Sequence, residues 1–134
     1  MNPVVVRNVR IGEGIPKICV PVTGVTKEDI IREAQSCTGI PADIVEWRAD
    51  WFEHIFDMDK TMEVLERLRT VLGQTPLLFT FRTSREGGEK PMEPQAYAAL
   101  NKAAARSGYT DLVDVEAFTG DGPVKDMIAA AHAC

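Results

Sequence analysis

Short apolar runs alternate with amphipathic segments along most of this chain, after a β-branched run that opens it. Four runs have the length and the β-branched or aromatic content of strands, and they lie at residues 18–22, 44–50, 76–82 and 112–118. After each run, apolar residues recur every three or four positions, as on one face of a helix, over residues 27–38, 58–72, 94–106 and 123–134. The pattern therefore predicts four strand–helix units.

Local signals mark the ends of these elements. Thr26 is a suitable N-cap for the first helix and Asp57 or Asp59 for the second, while Pro94 fits the first turn of the third. The β-branched run near the start of the chain is closed by the glycine-rich residues 12–14, and we expect a short hairpin there.

Strands that alternate with helices of this length predict βαβ units and a parallel sheet. Neither the dinucleotide fingerprint nor the P-loop occurs, and charges at the ends of three successive strands favour a (β/α)8 barrel over an open doubly wound sheet. A full barrel usually needs about 250 residues. We therefore predict the first half of a TIM barrel as one domain, 1–134, with a hairpin in 1–16 and four βα units in 17–134.

Charged and apolar residues alternate along the second predicted strand. Glu46, Arg48 and Asp50 share one face, whereas Trp47 faces the other side and is expected to pack under a helix. The next two predicted strands also place charges near their ends. Because isolated buried charges are costly, we expect these residues to line a shared polar cavity.

The composition, 45% hydrophobic and 26% charged, is that of an ordinary globular domain. A formal charge of −5 favours neither nucleic acid nor an anionic membrane surface as a partner. No segment reaches the roughly 18 apolar residues of a membrane span and the chain start does not resemble a signal peptide, so we expect a cytoplasmic protein. Cys19, Cys37 and Cys134 form no CxxC pair, and we expect two core thiols and one at the chain end.

The second and third predicted strands carry candidate binding residues. Glu46 and Arg48 offer an acceptor and a bidentate donor. A ligand with hydroxyl or carboxylate groups and a purely structural ion pair are equally compatible with them. Arg82 repeats the donor at the end of the third strand, and two arginines at one cavity indicate an anionic or oxygen-rich small molecule.

The polar loop from Thr83 to Met92 is long for a βα connection and is therefore a functional candidate. Its Glu86 is a candidate general acid or base, although a loop glutamate is more often a solvated charge. The adjacent residues Gly87 and Gly88 allow a close backbone approach.

A carboxylate cluster is the second chemical possibility. Asp114 and Glu116 share a face of the fourth strand, and with Glu46 they are candidate ligands for Mg²⁺ in a metal-dependent lyase or aldolase. Because the two arginines would neutralise the same carboxylates, we rank metal binding second and expect no metal.

Four stretches together closely resemble type I 3-dehydroquinate dehydratase, in order and in spacing. They are Ile18-Cys19-Val20-Pro21-Val22, Glu46-Trp47-Arg48-Ala49-Asp50, Phe81-Arg82-Thr83-Ser84-Arg85-Glu86-Gly87-Gly88 and Asp114-Val115-Glu116. The resemblance covers only the family's N-terminal half. It implies a lyase of the shikimate pathway that dehydrates 3-dehydroquinate to 3-dehydroshikimate through an imine with a lysine, without a metal or organic cofactor.

By position, the resemblance also implies roles for single residues. Three correspond to those that bind the hydroxyl and carbonyl side of the substrate: Glu46, Arg48 and Arg82. Glu86 corresponds to the glutamate that pairs with the catalytic histidine, and the surrounding polar shell contains Asp114 and Glu116.

The imine lysine and the catalytic histidine belong to the family's later strands. In this chain Lys90 comes nearest to a Schiff-base position but lies in a polar loop, and His54 and His132 fit core or surface positions better. We therefore expect the 134 residues alone to be inactive. Free strand edges invite pairing, so a homodimer or a complex with a C-terminal half-barrel is expected. The alternative is a half-barrel that binds a ligand or another chain without catalysis.

Overall fold

A computed structural model describes residues 2–134. An antiparallel hairpin of β1 (Val4–Val6) and β2 (Val9–Ile11) precedes a four-stranded parallel sheet. In spatial order, which is also chain order, the sheet contains β3 (Cys19–Val22), β4 (Ile44–Arg48), β5 (Leu77–Thr80) and β6 (Leu112–Val113). One helix follows each strand: α1 (Lys27–Cys37), α2 (Met58–Leu72), α3 (Pro94–Arg106) and α4 (Asp121–His132). The predicted parallel sheet of four βα units is confirmed.

The predicted helix starts agree with the structure. The Thr26 side chain accepts a hydrogen bond from the amide of Asp29 at 3.1 Å, and Asp57, rather than Asp59, accepts one from the amide of Lys60 at 3.1 Å. Pro94 is the first residue of α3. These caps are local interactions between residues three positions apart, which explains why the sequence predicts them well.

The hairpin lies within the predicted range 1–16. Val6 pairs with Val9, so the chain reverses at Arg7 and Asn8, inside the β-branched run. Arg7 adopts a left-handed conformation with φ of 52°. Its side chain reaches Asp111 at 2.7 Å, and this long-range contact compensates for a backbone geometry that arginine rarely adopts.

Three strands end earlier than predicted. β4 gives way to a 3₁₀ turn at Ala49–Trp51, β5 ends two residues before Arg82, and β6 ends before Asp114. Just beyond β5, a side chain replaces a neighbouring strand as the hydrogen-bond acceptor. The amide of Arg82 donates to the Asp50 carboxylate at 3.2 Å. The charged ends of the predicted strands therefore belong to the connecting segments.

The main hydrophobic core lies between the sheet and its helices. Trp47 is fully buried against Phe79, with 5.6 Å between the ring centroids, as expected for a side chain packed under a helix. Leu65 and Leu68 of α2 belong to the same cluster. Since alternate strand residues face opposite sides, this packing directs Glu46 and Arg48 to the concave side of the sheet.

The two thiols predicted for the core differ in exposure. Cys37 of α1 is buried, but Cys19 is exposed, so that part of the prediction is wrong. Cys19 alternates with Val20 and Val22, which face the helices, and it therefore lies on the concave side. Cys134 is exposed at the chain end, as expected.

An ion-pair network joins the hairpin to the sheet at the end opposite the predicted cavity. Asp111 accepts from Arg7 at 2.7 Å, from Arg69 at 2.8 Å and from the amide of Leu77 at 2.9 Å. The side chains of Arg69 and Asp111 are only 14% and 12% exposed. This carboxylate thus connects the hairpin, α2 and β5.

We expect Asp111→Asn to lower the free energy of unfolding by about 2–4 kcal/mol, because it leaves two guanidinium groups without their anion. Urea unfolding of the 134-residue chain measures this change. Glu63→Gln is the matched control: Glu63 pairs with Lys27 at 3.5 Å between exposed side chains, and about 0.5 kcal/mol or less is expected. Equal midpoints for the two variants would show that the network contributes little.

Candidate active site

Charged side chains cluster at the carboxyl ends of the parallel strands, where we predicted a polar cavity. Arg82 is at the centre of this cluster, with its guanidinium 2.9 Å from the Asp114 carboxylate and 2.7 Å from that of Glu86. Glu116 lies further away, at 3.8 Å from the same group. The structure therefore brings together charged residues from the second, third and fourth predicted strands and from the loop after β5.

Arg48 forms its ion pair with Asp50, so the structural pair left open for Glu46 and Arg48 is not the one observed. Arg48 donates from Nε and Nη2 to the two oxygens of Asp50, each at 2.9 Å, in a parallel fork. The fork leaves Nη1 of Arg48 available for a further acceptor. Glu46 remains beside this pair on β4, without the guanidinium fork that its position in the sequence suggested.

The electrostatic surroundings of Glu46 disfavour its ionised form. Burial raises the pKa of Glu46 above its ordinary value, and the negative charges of Asp114 and Asp50 act in the same direction. The positive charges of Arg48 and Arg82 oppose this rise without cancelling it. The neutral form of this half-buried carboxyl is therefore favoured more than that of an exposed glutamate.

Asp50 has the opposite character. It has no exposed surface, and burial alone would raise the pKa of its carboxyl. Hydrogen bonds from Arg48 and from the backbone amides of Glu89 and Arg82 outweigh burial and lower the pKa below its ordinary value. Asp50 therefore stays ionised and holds its neighbours in place, while Glu46 is the carboxyl facing the open side.

The loop after β5 is folded back onto the sheet. Lys90 donates to the carbonyl oxygens of Asp50 at 2.6 Å and Phe52 at 3.2 Å. A Cβ atom on Gly88 would lie 1.7 Å from the carbonyl oxygen of Arg82, so only glycine permits this approach. The predicted close approach at Gly88 is thus made to the protein's own backbone.

A second carboxylate fixes the other side of this loop. Glu116, which is 6% exposed, accepts from both the amide and the hydroxyl of Thr83 at 2.8 Å. The hydroxyl oxygen of Tyr97 accepts from the Glu116 amide at 2.9 Å and donates to the carbonyl of Asp114 at 3.3 Å. Burial raises the pKa of Tyr97, so this hydroxyl stays protonated. Glu116 and Tyr97 thus hold the start of this loop in place, and both line a cavity next to Glu86.

The structure does not assemble the carboxylate cluster that we ranked second. Asp114 is paired with Arg82 through Oδ2, and both oxygens of Glu116 accept from Thr83. Within residues 2–134, no group of three or more histidine, cysteine or acidic side chains is arranged to hold a metal ion. The metal-dependent alternative therefore has no geometric support in this part of the chain.

Sequence reasoning missed two contributors to the site and misplaced a third. Tyr97 was predicted only as part of an apolar helix face, and Lys90 was considered only as the lysine nearest to a Schiff-base position. Both act on backbone groups 17 to 40 positions away, and no local pattern indicates such contacts. Asp50 was predicted to share the cavity face, yet it is fully buried. Asp50 and Glu46 are both two residues from Arg48, so their spacing did not show which of them forms the pair.

Comparisons with known proteins agree with this geometry. The family model described as type I 3-dehydroquinase matches residues 18–134. A 3-dehydroquinate dehydratase from Clostridium botulinum (strain Eklund 17B) is 47% identical over 127 residues, which are 95% of this chain and 50% of the relative. One from Listeria monocytogenes serotype 4a is 48% identical over 98% of this chain and 52% of its own length. The chain thus spans about half the length of the curated relatives it matches.

Solved structures show the same relationship. A type I 3-dehydroquinate dehydratase from Clostridium difficile, crystallised with covalently modified comenic acid, superposes with a TM-score of 0.97 at 45% identity, over 98% of this chain and 52% of that one. The enzyme from Enterococcus faecalis gives a TM-score of 0.93 at 41% identity, over 98% and 55%. The predicted half of a TIM barrel is confirmed. In addition, no helix within residues 2–134 is long and apolar enough to cross a membrane.

We expect Glu46→Gln to stabilise the chain at pH 7 and to have little effect at pH 3. The folded-state pKa of Glu46 is raised, so its ionisation opposes folding, and stability is lost as pH rises from the unfolded value of about 4.3 through the folded value. The amide removes that loss. Urea unfolding midpoints at a series of pH values measure the difference.

Asp50→Asn is the control of opposite sign. The folded-state pKa of Asp50 is lowered, so its contribution to stability is present above about pH 4 and is lost as pH falls through the folded value. This variant should therefore be less stable than the parent at pH 7, and the difference should shrink in acid. Parallel pH curves for both variants would contradict the assigned directions.

Proposed function

This chain belongs to the type I 3-dehydroquinase family, and we propose that its concave face is the substrate-binding half of a 3-dehydroquinate dehydratase site. The proposed substrate is 3-dehydroquinate, and the proposed reaction is its dehydration to 3-dehydroshikimate in the shikimate pathway. One observation carries the proposal: the guanidinium groups of Arg48 and Arg82 are held by carboxylates at the carboxyl ends of adjacent strands, while both remain partly exposed.

The charge balance favours a particular side of the substrate. Carboxylates outnumber guanidinium groups five to two around the cavity: Glu46, Asp50, Glu86, Asp114 and Glu116 surround Arg48 and Arg82. A free carboxylate ligand would meet mostly negative charge here. Hydroxyl groups can instead donate to Glu46, and hydroxyl or carbonyl oxygens can accept from the arginines. We therefore assign Glu46, Arg48 and Arg82 to the hydroxyl and carbonyl side of the substrate.

We propose that Glu86 acts on the proton-transfer step. Its carboxylate is 2.7 Å from Arg82 and lies at the start of the loop, where a histidine from a later strand can reach it. In this role Glu86 would orient such a histidine and stabilise its charged form, as an acid next to a base does in other enzymes. Asp114 and Glu116 complete the polar shell.

An imine mechanism needs a lysine that this part of the chain does not place suitably. The ammonium group of Lys90 is occupied by the carbonyl oxygens of Asp50 and Phe52, so it supports the loop instead of facing the cavity. We therefore propose that the lysine and the histidine come from a second half-barrel next to the edges of β3 and β6. A C-terminal half would supply both groups. A second copy of this chain would cover the same edges without supplying them, and a cytoplasmic location remains our expectation.

A non-catalytic half-barrel is the second candidate function. One observation favours it: Cys19 and Pro21 are exposed on the concave side of β3, so ligand or another chain can reach this face directly. In this case the chain binds a polyhydroxylated acid or a partner without dehydrating it. The same arginines would provide the binding.

A chimera tests the proposed function. Residues 1–134 replace the matching half of the Clostridium difficile relative, which the high structural similarity permits. We expect the chimera to convert 3-dehydroquinate to 3-dehydroshikimate, detected by the absorbance of the conjugated product, and borohydride to trap the substrate covalently. The 134-residue chain alone should show neither activity. A soluble, folded chimera that neither turns over nor traps substrate would contradict the dehydratase assignment.

Arg82→Met in the chimera should lower kcat/KM about 100-fold or more, because a substrate oxygen and Glu86 both lose a charged partner. Steady-state kinetics measure the loss. Arg85→Met is the matched control, since Arg85 lies exposed in the same loop, and a change of less than about threefold is expected. Equal effects of the two substitutions would remove Arg82 from the binding site.

A further inference from the structure

We propose that Asp50 and Lys90 are positioning residues that together fix both substrate-binding arginines and the loop carrying Glu86. We call this pair the clamp. Neither residue faces the open side of the cavity, so the clamp acts through Arg48, Arg82 and the loop backbone. The inference rests on the proposed function for its catalytic consequence, but the contacts that define the clamp stand independently of it.

The Asp50 carboxylate is saturated by four donors from three segments. Oδ1 accepts from Nε of Arg48 at 2.9 Å and from the amide of Arg82 at 3.2 Å. Oδ2 accepts from Nη2 of Arg48 at 2.9 Å and from the amide of Glu89 at 3.1 Å. Since Asp50 is completely buried, it has neither a free lone pair nor surface for a ligand. Its contribution to binding must therefore be indirect.

The fork between Asp50 and Arg48 fixes the plane of the guanidinium group. Two parallel N–H···O bonds remove the rotation that a single contact would leave, and the remaining Nη1 then points in one direction. Nothing else along β4 offers this restraint, because Glu46 does not form the fork. Without Asp50, Arg48 would have to be ordered by the substrate itself, which reduces affinity.

The Asp50 carboxylate also fixes the backbone position of Arg82. The backbone leaves the sheet after β5, and the amide of Arg82 donates to Asp50 in place of a neighbouring strand. The Arg82 side chain extends from this point to Asp114 and Glu86. One buried acid thus sets the positions of both guanidinium groups and, through Arg82, of Glu86.

Lys90 closes the clamp from the far end of the loop. Its ammonium group bonds the carbonyl oxygens of Asp50 and Phe52, while the amide of Ser84 donates to the Lys90 carbonyl at 3.0 Å. Lys90 therefore joins the start and the end of the loop to the turn after β4.

Amide hydrogen exchange of the 134-residue chain tests the clamp directly. In Asp50→Asn, the amides of Arg82 and Glu89 should exchange at least tenfold faster relative to those of Trp47 and Phe79 in the strands. Lys90→Met should accelerate the Glu89 amide, with a smaller effect on Arg82, and Lys90→Arg should restore part of the protection. Unchanged relative rates, or equal acceleration at all four amides, would overturn the clamp.

A double-mutant cycle in the chimera tests the catalytic consequence. Asp50→Asn should raise KM about 10- to 100-fold with a smaller fall in kcat. For the double variant with Arg48→Met, the fold loss in kcat/KM should be at least about tenfold smaller than the product of the two single losses. Asp111→Asn with Arg48→Met is the control pair. Its losses should multiply, because Asp111 lies at the opposite end of the sheet and affects stability alone.

The two experiments separate the clamp from the proposed function. An inactive unsubstituted chimera would count against the dehydratase assignment, and hydrogen exchange would still decide whether the clamp exists. If the chimera is active and the activity losses from Asp50→Asn and Arg48→Met multiply in the double variant, the positioning role is overturned, whatever the exchange rates show. Faster exchange at Arg82 and Glu89 together with coupled kinetics would support the complete inference.

Discussion

The arrangement of this site depends on the need to compensate buried carboxylates. Asp50 is completely inaccessible and Glu116 nearly so, and an acid in such a place is tolerated only when donors satisfy both of its oxygens. Each acid takes backbone amides from the segment after β5, and each takes one side chain as well. Because Asp50 and Glu116 both need donors from this segment, the loop that carries Glu86 has to pass close to each of them.

The carboxylates divide into two functional groups because their donors differ. Asp50 receives a guanidinium fork and two amides, which together overcome burial and lower its pKa, whereas Glu46 has only long-range attraction to the arginines and its pKa is raised. Two acids four residues apart, on one strand and its following turn, thus differ in charge preference. Its donors keep Asp50 ionised, whereas burial favours the neutral form of Glu46.

The sequence predicts the elements better than it predicts their partners. Helices and their caps depend on contacts within one turn, as between Thr26 and Asp29, and these were predicted correctly. Strand ends and side-chain partners depend on residues far apart in the chain. Arg82 and Asp50 are 32 positions apart, and neither the early end of β5 nor the choice of Asp50 over Glu46 by Arg48 has a local signal. The same reasoning explains why the roles of Lys90 and Tyr97 were missed.

The hydrogen bonds and ion pairs that hold the two arginines and the loop all form within one half of a barrel. This limits what a second half would have to contribute. Arg48, Arg82 and the loop are held by acids from this chain alone, so these contacts do not require any further strands. Covering the concave face removes water and strengthens each charge interaction inside the cavity. Because the dipoles and charges are already oriented, little reorganisation opposes this gain. A second half then has to supply reactive groups and a low-dielectric wall, but not the orientation of the arginines.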